Sequence, residues 1–257
     1  MVEVATNTEV KKPSKPKRGW LYRTGKKLRP WLDEQLAKCS LVGNPPVFPA
    51  GTFPWTAELE KNWEAIRREA FSVLQTEDIP ILADISPDHG RLGGDRKWKS
   101  FFLYGYGYRV EGNCEKCPET AKLVSKVPGL NSAFFSILTP GARIPRHRGV
   151  TKNLITCHLG LLVPKDWERC RMAVHDDMVY WREGKTAVFD DTYFHEVWNE
   201  TDETRVILLV QFERPMRQPG RAIGRTFMWA VRRSPFVQEA RRNFLAWQGA
   251  QNRIDGH

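Results

Sequence analysis

Cysteine is scarce in this sequence, and its scarcity limits both the fold and the compartment. The 257 residues include five cysteines, an odd and low number for a chain of this length. A disulfide framework is therefore not expected, and a reducing compartment fits better. Cys114 and Cys117 form a lone C-x-x-C, but structural zinc needs further Cys or His ligands at suitable spacing, and none follows. We interpret the two as loop cysteines, either free or joined by a disulfide.

Long apolar runs are also missing. Residues 1–19 contain no apolar stretch of signal-peptide length, and no window approaches the roughly 20 apolar residues that a membrane-spanning helix needs. The sequence therefore predicts a cytoplasmic protein. Such a chain reaches a bilayer only as a peripheral protein.

Acidic residues are outnumbered, with 30 Asp and Glu against 40 Lys and Arg, which gives a formal net charge of +10. This excess favours contact with an anionic partner, which can be nucleic acid, a membrane surface or an acidic substrate. Charge alone does not choose among them. We expect no nucleic-acid partner, because the sequence contains no recognition motif for one.

The chain is predicted to form one domain with basic ends. Residues 1–19 are rich in Lys, Pro and Thr and are expected to be a disordered basic arm. Residues 20–100 are predicted to be a flank of helices and loops packed on the core. Within the flank, Thr56 is the expected N-cap of one amphipathic helix, because apolar residues recur at helical spacing after it. These residues are Leu59, Trp63, Ile66, Ala70 and Leu74.

Residues 101–215 show the pattern of a β domain. Short segments rich in β-branched and aromatic residues are separated by Gly, Pro and Asp turns. This pattern predicts a mainly β fold with flanking helices, a double-stranded β-helix of the jelly-roll, cupin-like kind. The predicted strands are Ala133–Leu138, Leu154–Val163, Arg171–His175, Val179–Trp181, Thr186–Phe189 and Arg205–Phe212.

Residues 216–257 are predicted to be a basic amphipathic helical tail, broken near Pro235. Aromatic and aliphatic residues alternate there with arginines. One interpretation is a helix packed on the barrel with its arginines in water. The other is peripheral contact with an anionic membrane, with apolar groups at the interface and arginines at the lipid head groups.

Histidine is rare as well, with six in the chain, so each can be weighed. His175 begins a literal H-x-D, which we interpret as a hairpin turn between two short strands. His147 and His195 lie on an early and a late segment of the predicted barrel, where they can face each other. Two neutral imidazoles at a barrel mouth suit Fe(II), although either histidine alone is better explained as structural.

Ordered motifs surround these two histidines. In chain order they are Ser136–Gly141, Pro145–Gly149, His158–Leu161, Trp181–Lys185, Phe189–Asn199 and Arg205. Each is weak by itself. The ordered set, between about Phe101 and Pro215, resembles the aspartyl/asparaginyl β-hydroxylase family, which includes bacterial relatives that hydroxylate lipid acyl chains.

The resemblance implies an Fe(II)- and 2-oxoglutarate-dependent hydroxylase whose metal is held by His147 and His195. It implies that Arg205 and Ser136 bind the distal carboxylate of 2-oxoglutarate, for which a guanidinium fork is well suited. His158 is then expected near the metal-chelating end of the co-substrate. Asp191 is the implied catalytic carboxylate, which holds water at the metal or orients an imidazole.

Two positions depart from common patterns. Non-haem iron oxygenases usually carry a carboxylate two residues after the first histidine, where this chain has Gly149. The resembling family uses two histidines, so Gly149 agrees with it, whereas iron halogenases share the glycine but not the other motifs. Family members commonly carry an arginine where this chain has Thr156. Lys152 or Arg148 is a candidate to replace its contact with the inner carboxylate of 2-oxoglutarate.

The substrate is open at this point. The leading hypothesis is an Asp or Asn residue in a peptide or protein, hydroxylated at its β-carbon. The alternative is an acyl chain on an anionic lipid of the lipid A or ornithine-lipid type, hydroxylated at its second carbon, which the basic tail favours. A third hypothesis, from another class, is a non-catalytic jelly-roll module that binds peptide or lipid and has structural histidines.

Overall fold

The computed structural model describes residues 30–85, 97–235 and 237–243. The expected basic arm, residues 1–19, and the last part of the tail lie outside the described residues. Within the described chain, two antiparallel sheets face each other and helices flank the larger one. This arrangement confirms the predicted jelly-roll class.

Helices lie before, between and after the strands in the described residues. They are α1 (residues 30–38), α2 (Thr56–Lys61), α3 (Trp63–Thr76), α4 (Leu82–Ile85), α5 (Glu111–Lys116), α6 (Pro118–Val124) and α7 (Gly220–Arg233). The single helix predicted after Thr56 is therefore two, with a break at Asn62. Thr56 is not an N-cap, because it lies in the first turn of α2 and its hydroxyl donates to the Phe53 carbonyl at 2.8 Å.

The strands of the larger sheet are β1 (Trp98–Gly105), β2 (Tyr108–Arg109), β3 (Leu130–Leu138), β5 (Leu154–Leu162), β8 (Thr186–Phe189) and β10 (Arg205–Glu213). Those of the smaller sheet are β4 (Arg143–His147), β6 (Cys170–Val174), β7 (Asp177–Tyr180) and β9 (His195–Asn199). The larger sheet has the order β2-β1-β3-β10-β5-β8, and the smaller has the order β4-β9-β6-β7. All neighbouring strands in both sheets pair antiparallel.

The central strands β3, β5 and β10 are buried on both faces. Phe135, Leu159 and Leu208 point to the outer face, into a core that the helices cover. Ile207 points to the inner face, into a second core shared with Met172 of the smaller sheet. Burial on both faces explains why these segments of the sequence are nearly continuous apolar runs.

All six predicted strands are present, with shifts of a residue or a few at their ends. The structure adds four strands that the sequence pattern did not predict: β1, β2, β4 and β9. Of these, β4 and β9 are short and largely polar, and the pairing of β4 shifts register between Ile144 and His147, where Pro145 lies. The larger sheet begins at Trp98, inside the segment assigned to the flank.

Cys114 and Cys117 do not lie in a loop. Cys114 is in α5 and Cys117 is the C-cap of that helix, and both side chains are buried in the helix-covered core. All five cysteines are free, so no disulfide joins the pair. Burial raises the pKa of Cys117 to about 12, so its thiol stays protonated at neutral pH. The two residues are packing residues.

His175 and Asp176 form a two-residue turn between β6 and β7, with Val174 paired to Asp177 across it. The prediction of a hairpin at this H-x-D is confirmed. His175 has a φ of 55°, a conformation typical of such turns.

The predicted tail is helical from Gly220, after four residues that are not helical. Helix α7 ends at Arg233, Ser234 interrupts it beside Pro235, and helical residues continue to residue 243. The end of the predicted tail, residues 244–257, lies outside the described residues. In the part of the chain described, no helix combines the length and apolar character needed to cross a bilayer.

One buried carboxylate connects the segments around one end of the barrel. Asp190, directly after β8, is fully buried, pairs with the Lys152 ammonium at 2.6 Å and with the Arg214 guanidinium, and accepts from the Thr192 amide at 2.9 Å. Arg214 also donates to the carbonyl of Gly43 at 3.0 Å. The network therefore fixes the β8–β9 loop, the segment before β5 and the residue after β10 to each other.

Asp190→Asn is expected to lower the free energy of unfolding by about 3–5 kcal/mol, because it leaves two buried cations without a charge partner. Urea unfolding followed by circular dichroism measures this. Asp202→Asn, in an exposed turn, is the matched control and should change stability by less than about 0.5 kcal/mol. Equal stability of the two variants would contradict a structural role for the ion-pair network.

Gly160→Ala tests the close approach of two backbones on the inner face of β5. A Cβ at this position would lie 2.2 Å from the Arg182 carbonyl oxygen, and a backbone atom cannot move aside as a flexible side chain does. We expect a loss of about 1–3 kcal/mol, measured by thermal unfolding. Gly112→Ala in α5 meets no atom within 4 Å and should be neutral or stabilising.

Candidate active site

The pairing of β4 with β9 places His147 and His195 side by side. The two residues are register partners, and their ring centroids are 4.0 Å apart. His147 ends β4 and His195 begins β9, so both lie at one end of the smaller sheet. The sequence placed them on facing segments of a barrel, and the structure places them on adjacent strands.

Both imidazoles are held in an orientation that suits metal binding. Nδ1 of His147 lies 2.8 Å from the Pro145 carbonyl oxygen, and Nδ1 of His195 lies 3.0 Å from that of Tyr193. Because a carbonyl only accepts, each Nδ1 carries the proton and each Nε2 keeps a lone pair. Burial and the neighbouring His195 lower the pKa of His147 to about 4, and burial lowers that of His195. Both rings are therefore neutral at pH 7, the form that binds a metal.

The space next to residue 149 is filled by a carboxylate from another loop. A Cβ built on Gly149 would lie 2.1 Å from Oδ1 of Asp191, and the Gly149 amide donates to the Asp191 carbonyl at 2.6 Å. The Asp191 carboxylate accepts from Thr156 Oγ1 at 3.3 Å and from Gln211 Nε2 at 3.1 Å. The sequence thus lacks a carboxylate at position 149, but the fold brings one there, and any side chain at 149 would displace it.

Ser136, His158 and Arg205 face the interior between the two sheets. Residues paired across antiparallel strands point to the same face, and residues two apart along a strand do so as well. Ile207 pairs with Ser136, and Leu209 pairs with His158. Arg205 lies on the same face of β10 as these two partners, so the three predicted co-substrate residues share one surface.

Arg205 is a buried cation without an anionic partner among the described residues. Its side chain is 1% exposed, and its Nε and Nη2 atoms are buried and make no hydrogen bond. Its guanidinium lies over the Trp181 ring, 4.7 Å from the centroid. Burial lowers its pKa to about 10, so it remains charged at pH 7. Such a group costs several kcal/mol, which paired hydrogen bonds to a carboxylate would offset.

His158 and Ser136 add two neutral donors to this surface. Nδ1 of His158 accepts from Trp181 Nε1 at 3.3 Å, so its proton is on Nε2, which is buried and makes no hydrogen bond. Burial and the neighbouring Arg205 lower the pKa of His158, which keeps the ring neutral. The Ser136 hydroxyl accepts from Trp98 Nε1 at 2.9 Å and can donate its own hydrogen. The interior therefore presents donors suited to an anionic ligand with several acceptor oxygens.

The two candidate replacements for the family's arginine, Lys152 and Arg148, contact other side chains in the structure. The Lys152 ammonium is bound to Asp190 and lies over the Tyr193 ring at 4.1 Å. The Arg148 side chain is exposed and lies over the Phe194 ring at 5.4 Å. Each cation thus has a side-chain partner other than a co-substrate.

The roles of three residues at the site were not predicted from the sequence. Gln211 donates to Asp191, and Trp181 donates to His158. Asp190 anchors the β8–β9 loop through its ion pairs. Gln211 is the polar exception within the apolar segment 206–212, a signal that points to an inward-facing polar contact once the strand is paired. Trp181 begins one of the ordered motifs, but its contacts follow only from the fold.

Two side chains, those of His147 and His195, could hold a metal here. In residues 30–85, 97–235 and 237–243, no group of three or more His, Cys, Asp or Glu side chains is arranged to hold a metal ion. A cation bound by Nε2 of His147 and of His195 would keep most of its coordination positions open to ligands that do not come from the chain. The arrangement suits a metal that binds a chelating co-substrate.

The chain is similar to several known proteins. The chain is 41% identical over 219 residues to the ornithine lipid ester-linked acyl 2-hydroxylase of Rhizobium tropici, covering 85% of this chain and 78% of that one. It is 32% identical over 166 residues to the human aspartyl/asparaginyl beta-hydroxylase, covering 63% of this chain but 21% of the human protein. The alignment with the structure of a Pseudomonas putida prolyl-4-hydroxylase covers 62% of this chain and 99% of the prolyl-4-hydroxylase chain. Its TM-score is 0.39 and the sequence identity is 16%.

The family model described as aspartyl/asparaginyl beta-hydroxylase matches residues 60–215, more than half of the chain. This range contains both histidines, the buried arginine and the loop that brings Asp191 to Gly149. The resemblance of the ordered motifs is confirmed, and the chain belongs to the aspartyl/asparaginyl β-hydroxylase family of hydroxylases.

Proposed function

We propose that the protein is an Fe(II)- and 2-oxoglutarate-dependent dioxygenase that hydroxylates an acyl chain of a lipid at its second carbon. The observation that carries the cofactor assignment is Arg205, whose charged guanidinium is buried with two nitrogens that make no hydrogen bond. A 2-oxoglutarate carboxylate fits this donor, and the neutral His147 and His195 pair fits Fe(II).

Each residue of the site has a defined task in this proposal. His147 and His195 hold Fe(II) through Nε2, Arg205 and Ser136 hold the distal carboxylate of 2-oxoglutarate, and His158 donates near its other end. Bound together, Fe(II) and 2-oxoglutarate supply the activation of dioxygen for insertion into a C–H bond. The Asp191 carboxylate is a proton acceptor next to the two histidines.

The relatives favour a lipid over a peptide, which reverses the order of the two sequence-based hypotheses. The Rhizobium tropici enzyme, named for an ornithine lipid acyl chain, matches 85% of this chain at 41% identity. The human enzyme matches 63% at 32% identity. Beside the histidines, Phe194 is 45% exposed and lies under the guanidinium groups of Arg146 (4.5 Å) and Arg148 (5.4 Å). A surface both apolar and cationic suits an amphiphile with an anionic head group.

With Fe(II), 2-oxoglutarate and an ornithine lipid, we expect one oxygen added to an acyl chain for each succinate formed, as measured by mass spectrometry. His147→Ala and His195→Ala should abolish both products and weaken Fe(II) affinity by at least about 100-fold, because a lost ligand costs more than a lost supporting group. His175→Ala, in the exposed turn between β6 and β7, is the matched control and should retain both.

Other results of this experiment have definite meanings. Oxygen found on the β-carbon of Asp or Asn in a peptide, with the lipid unchanged, would decide for the peptide substrate. No succinate with either substrate, together with unchanged metal affinity in the histidine variants, would show a non-catalytic binding module.

Arg205→Met separates co-substrate binding from stability. Wild-type protein loaded with Mn(II) should be stabilised by 2-oxoglutarate, by about 2.7 kcal/mol at 100 times the dissociation constant. The variant should lose this response, yet its unfolding free energy without ligand should be unchanged or higher, because a buried unpaired charge is removed. Thermal unfolding in the absence of oxygen measures both quantities.

Arg182→Met is the control for the Arg205 variant. Arg182 also lies over a tryptophan ring, that of Trp167 at 4.9 Å, but its side chain is exposed. This variant should keep the full stabilisation by 2-oxoglutarate. If Arg205→Met also kept it, Arg205 would not be the carboxylate ligand.

A further inference from the structure

The solvent-facing side of α7 is basic and aromatic. One stripe of the helix, at a spacing of four residues, is exposed and consists of Arg221, Arg225, Trp229 and Arg233. The stripe one residue earlier along the helix is buried and consists of Gly220, Gly224 and Met228. No acidic residue occurs in α7, and in the described chain no carboxylate pairs with the three exposed arginines. Arg233 lies over the Trp229 ring at 4.2 Å, and Trp229 is 56% exposed.

Exposed apolar side chains border the same helix. The start of α7 packs on the end of α1, where a Cβ on Gly220 would lie 2.4 Å from Cβ of Cys39. Directly after this contact, Leu41 is 64% exposed and its amide donates to the Pro215 carbonyl at 2.9 Å. Trp31, near the other end of α1, is 60% exposed. The basic stripe lies on α7, Trp31 on α1 and Leu41 just after α1. Because α7 contacts the end of α1, we call these residues the α1–α7 platform.

The platform is joined to the segment that leads away from the metal-binding histidines. Gly224 of α7 packs so closely on Asn153 that a Cβ there would lie 1.8 Å from its Oδ1. Asp33 of α1 accepts from the Lys152 amide at 3.1 Å. The same segment, 148–153, follows His147 and contains Val150, which is 63% exposed. The platform therefore borders the end of the barrel at which the two histidines lie.

We infer that the α1–α7 platform is a docking surface for an anionic lipid bilayer, which brings acyl chains to the end of the barrel that carries His147 and His195. The inference rests on the proposed lipid substrate and adds the partner surface of that site. Arginines supply the attraction to anionic head groups, and Trp229, Trp31 and Leu41 supply apolar groups for the interface.

The side chains favour a bilayer over the other anionic partners. A nucleic acid or an acidic peptide needs the arginines alone, and exposed tryptophan and leucine add little to binding of a duplex backbone. A bilayer interface uses both classes, since tryptophan prefers the level of the head groups. The exposed stripe of α7 carries arginines and a tryptophan on one face of the helix.

Flotation of the full chain with vesicles tests the inference. We expect binding to vesicles of phosphatidylcholine mixed with phosphatidylglycerol, and weak binding to phosphatidylcholine alone. Arg221→Glu with Arg225→Glu should reduce the affinity by at least about 10-fold, and Trp229→Ala should also reduce it. Both changes are on an exposed stripe, so unfolding midpoints and turnover on detergent-dispersed lipid should match wild type, whereas turnover on vesicles should fall.

Matched controls carry the same changes elsewhere. Lys122→Glu with Lys126→Glu alters net charge equally at exposed positions on and beyond α6, and Tyr180→Ala removes an exposed aromatic from β7. Both should bind vesicles as wild type does. Equal binding to neutral and anionic vesicles, or binding unaffected by the α7 charge reversal, would overturn the inference. So would arginine-dependent retention of duplex DNA or an acidic peptide without vesicle binding.

The assay separates failure of this inference from failure of the proposed function, because flotation requires no turnover. If the chain binds anionic vesicles through α7 but adds no oxygen to any lipid, the docking surface stands and the proposed reaction is wrong. If it hydroxylates dispersed lipid but does not bind vesicles, the reaction stands and the docking surface is wrong.

Discussion

The fully buried carboxylate of Asp190 is the interaction on which the geometry of the site depends. It is paired with Lys152 and Arg214, and a charge this deep is tolerated only when it is paired and hydrogen-bonded. The three segments that supply these residues therefore cannot separate without leaving a charge unpaired. Asp191 is the next residue, so its position against Gly149 is set by this network more than by its own hydrogen bonds. Because Arg214 also binds the Gly43 carbonyl, the chain that follows α1 is fixed to the same point.

The sequence predicted the fold class and the strands with apolar patterns, and missed the elements whose structure depends on pairing. Strands β5 and β10 were predicted because both faces are buried and their residues are apolar almost throughout. Strands β4 and β9 have mixed composition and a register shift, so their strand structure comes from the partner more than from propensity. The break at Asn62 was missed for a different reason. Apolar residues continue at helical spacing on both sides of it, so the pattern shows no interruption.

The site was predictable to the extent that its residues occur in ordered motifs. His147, His195, His158, Ser136 and Arg205 were named from such motifs, and the structure places the first two together and the other three on one inner surface. Gln211 and Trp181 could not be named because their roles depend on register and on the approach of two sheets. Asp190 and Asp191 are neighbours with similar sequence context. Asp190 forms ion pairs with Lys152 and Arg214, whereas Asp191 contacts Gly149. Only the fold separates them, because consecutive residues after a strand point in different directions.

Gly149 and Asp191 form a coupled pair, and this coupling explains how the site can lack an H-x-D motif without lacking a carboxylate. A Cβ at position 149 would lie 2.1 Å from Oδ1 of Asp191, so a side chain there would displace the Asp191 carboxylate from its place. A carboxylate attached at position 149 would replace Asp191 and lose the hydrogen bonds from Thr156 and Gln211. Supplied from the β8–β9 loop, the carboxylate is held by two polar donors on the larger sheet and is anchored next to Asp190. The close contact explains the glycine at position 149, and the packing of this loop supplies the carboxylate that the H-x-D pattern lacks.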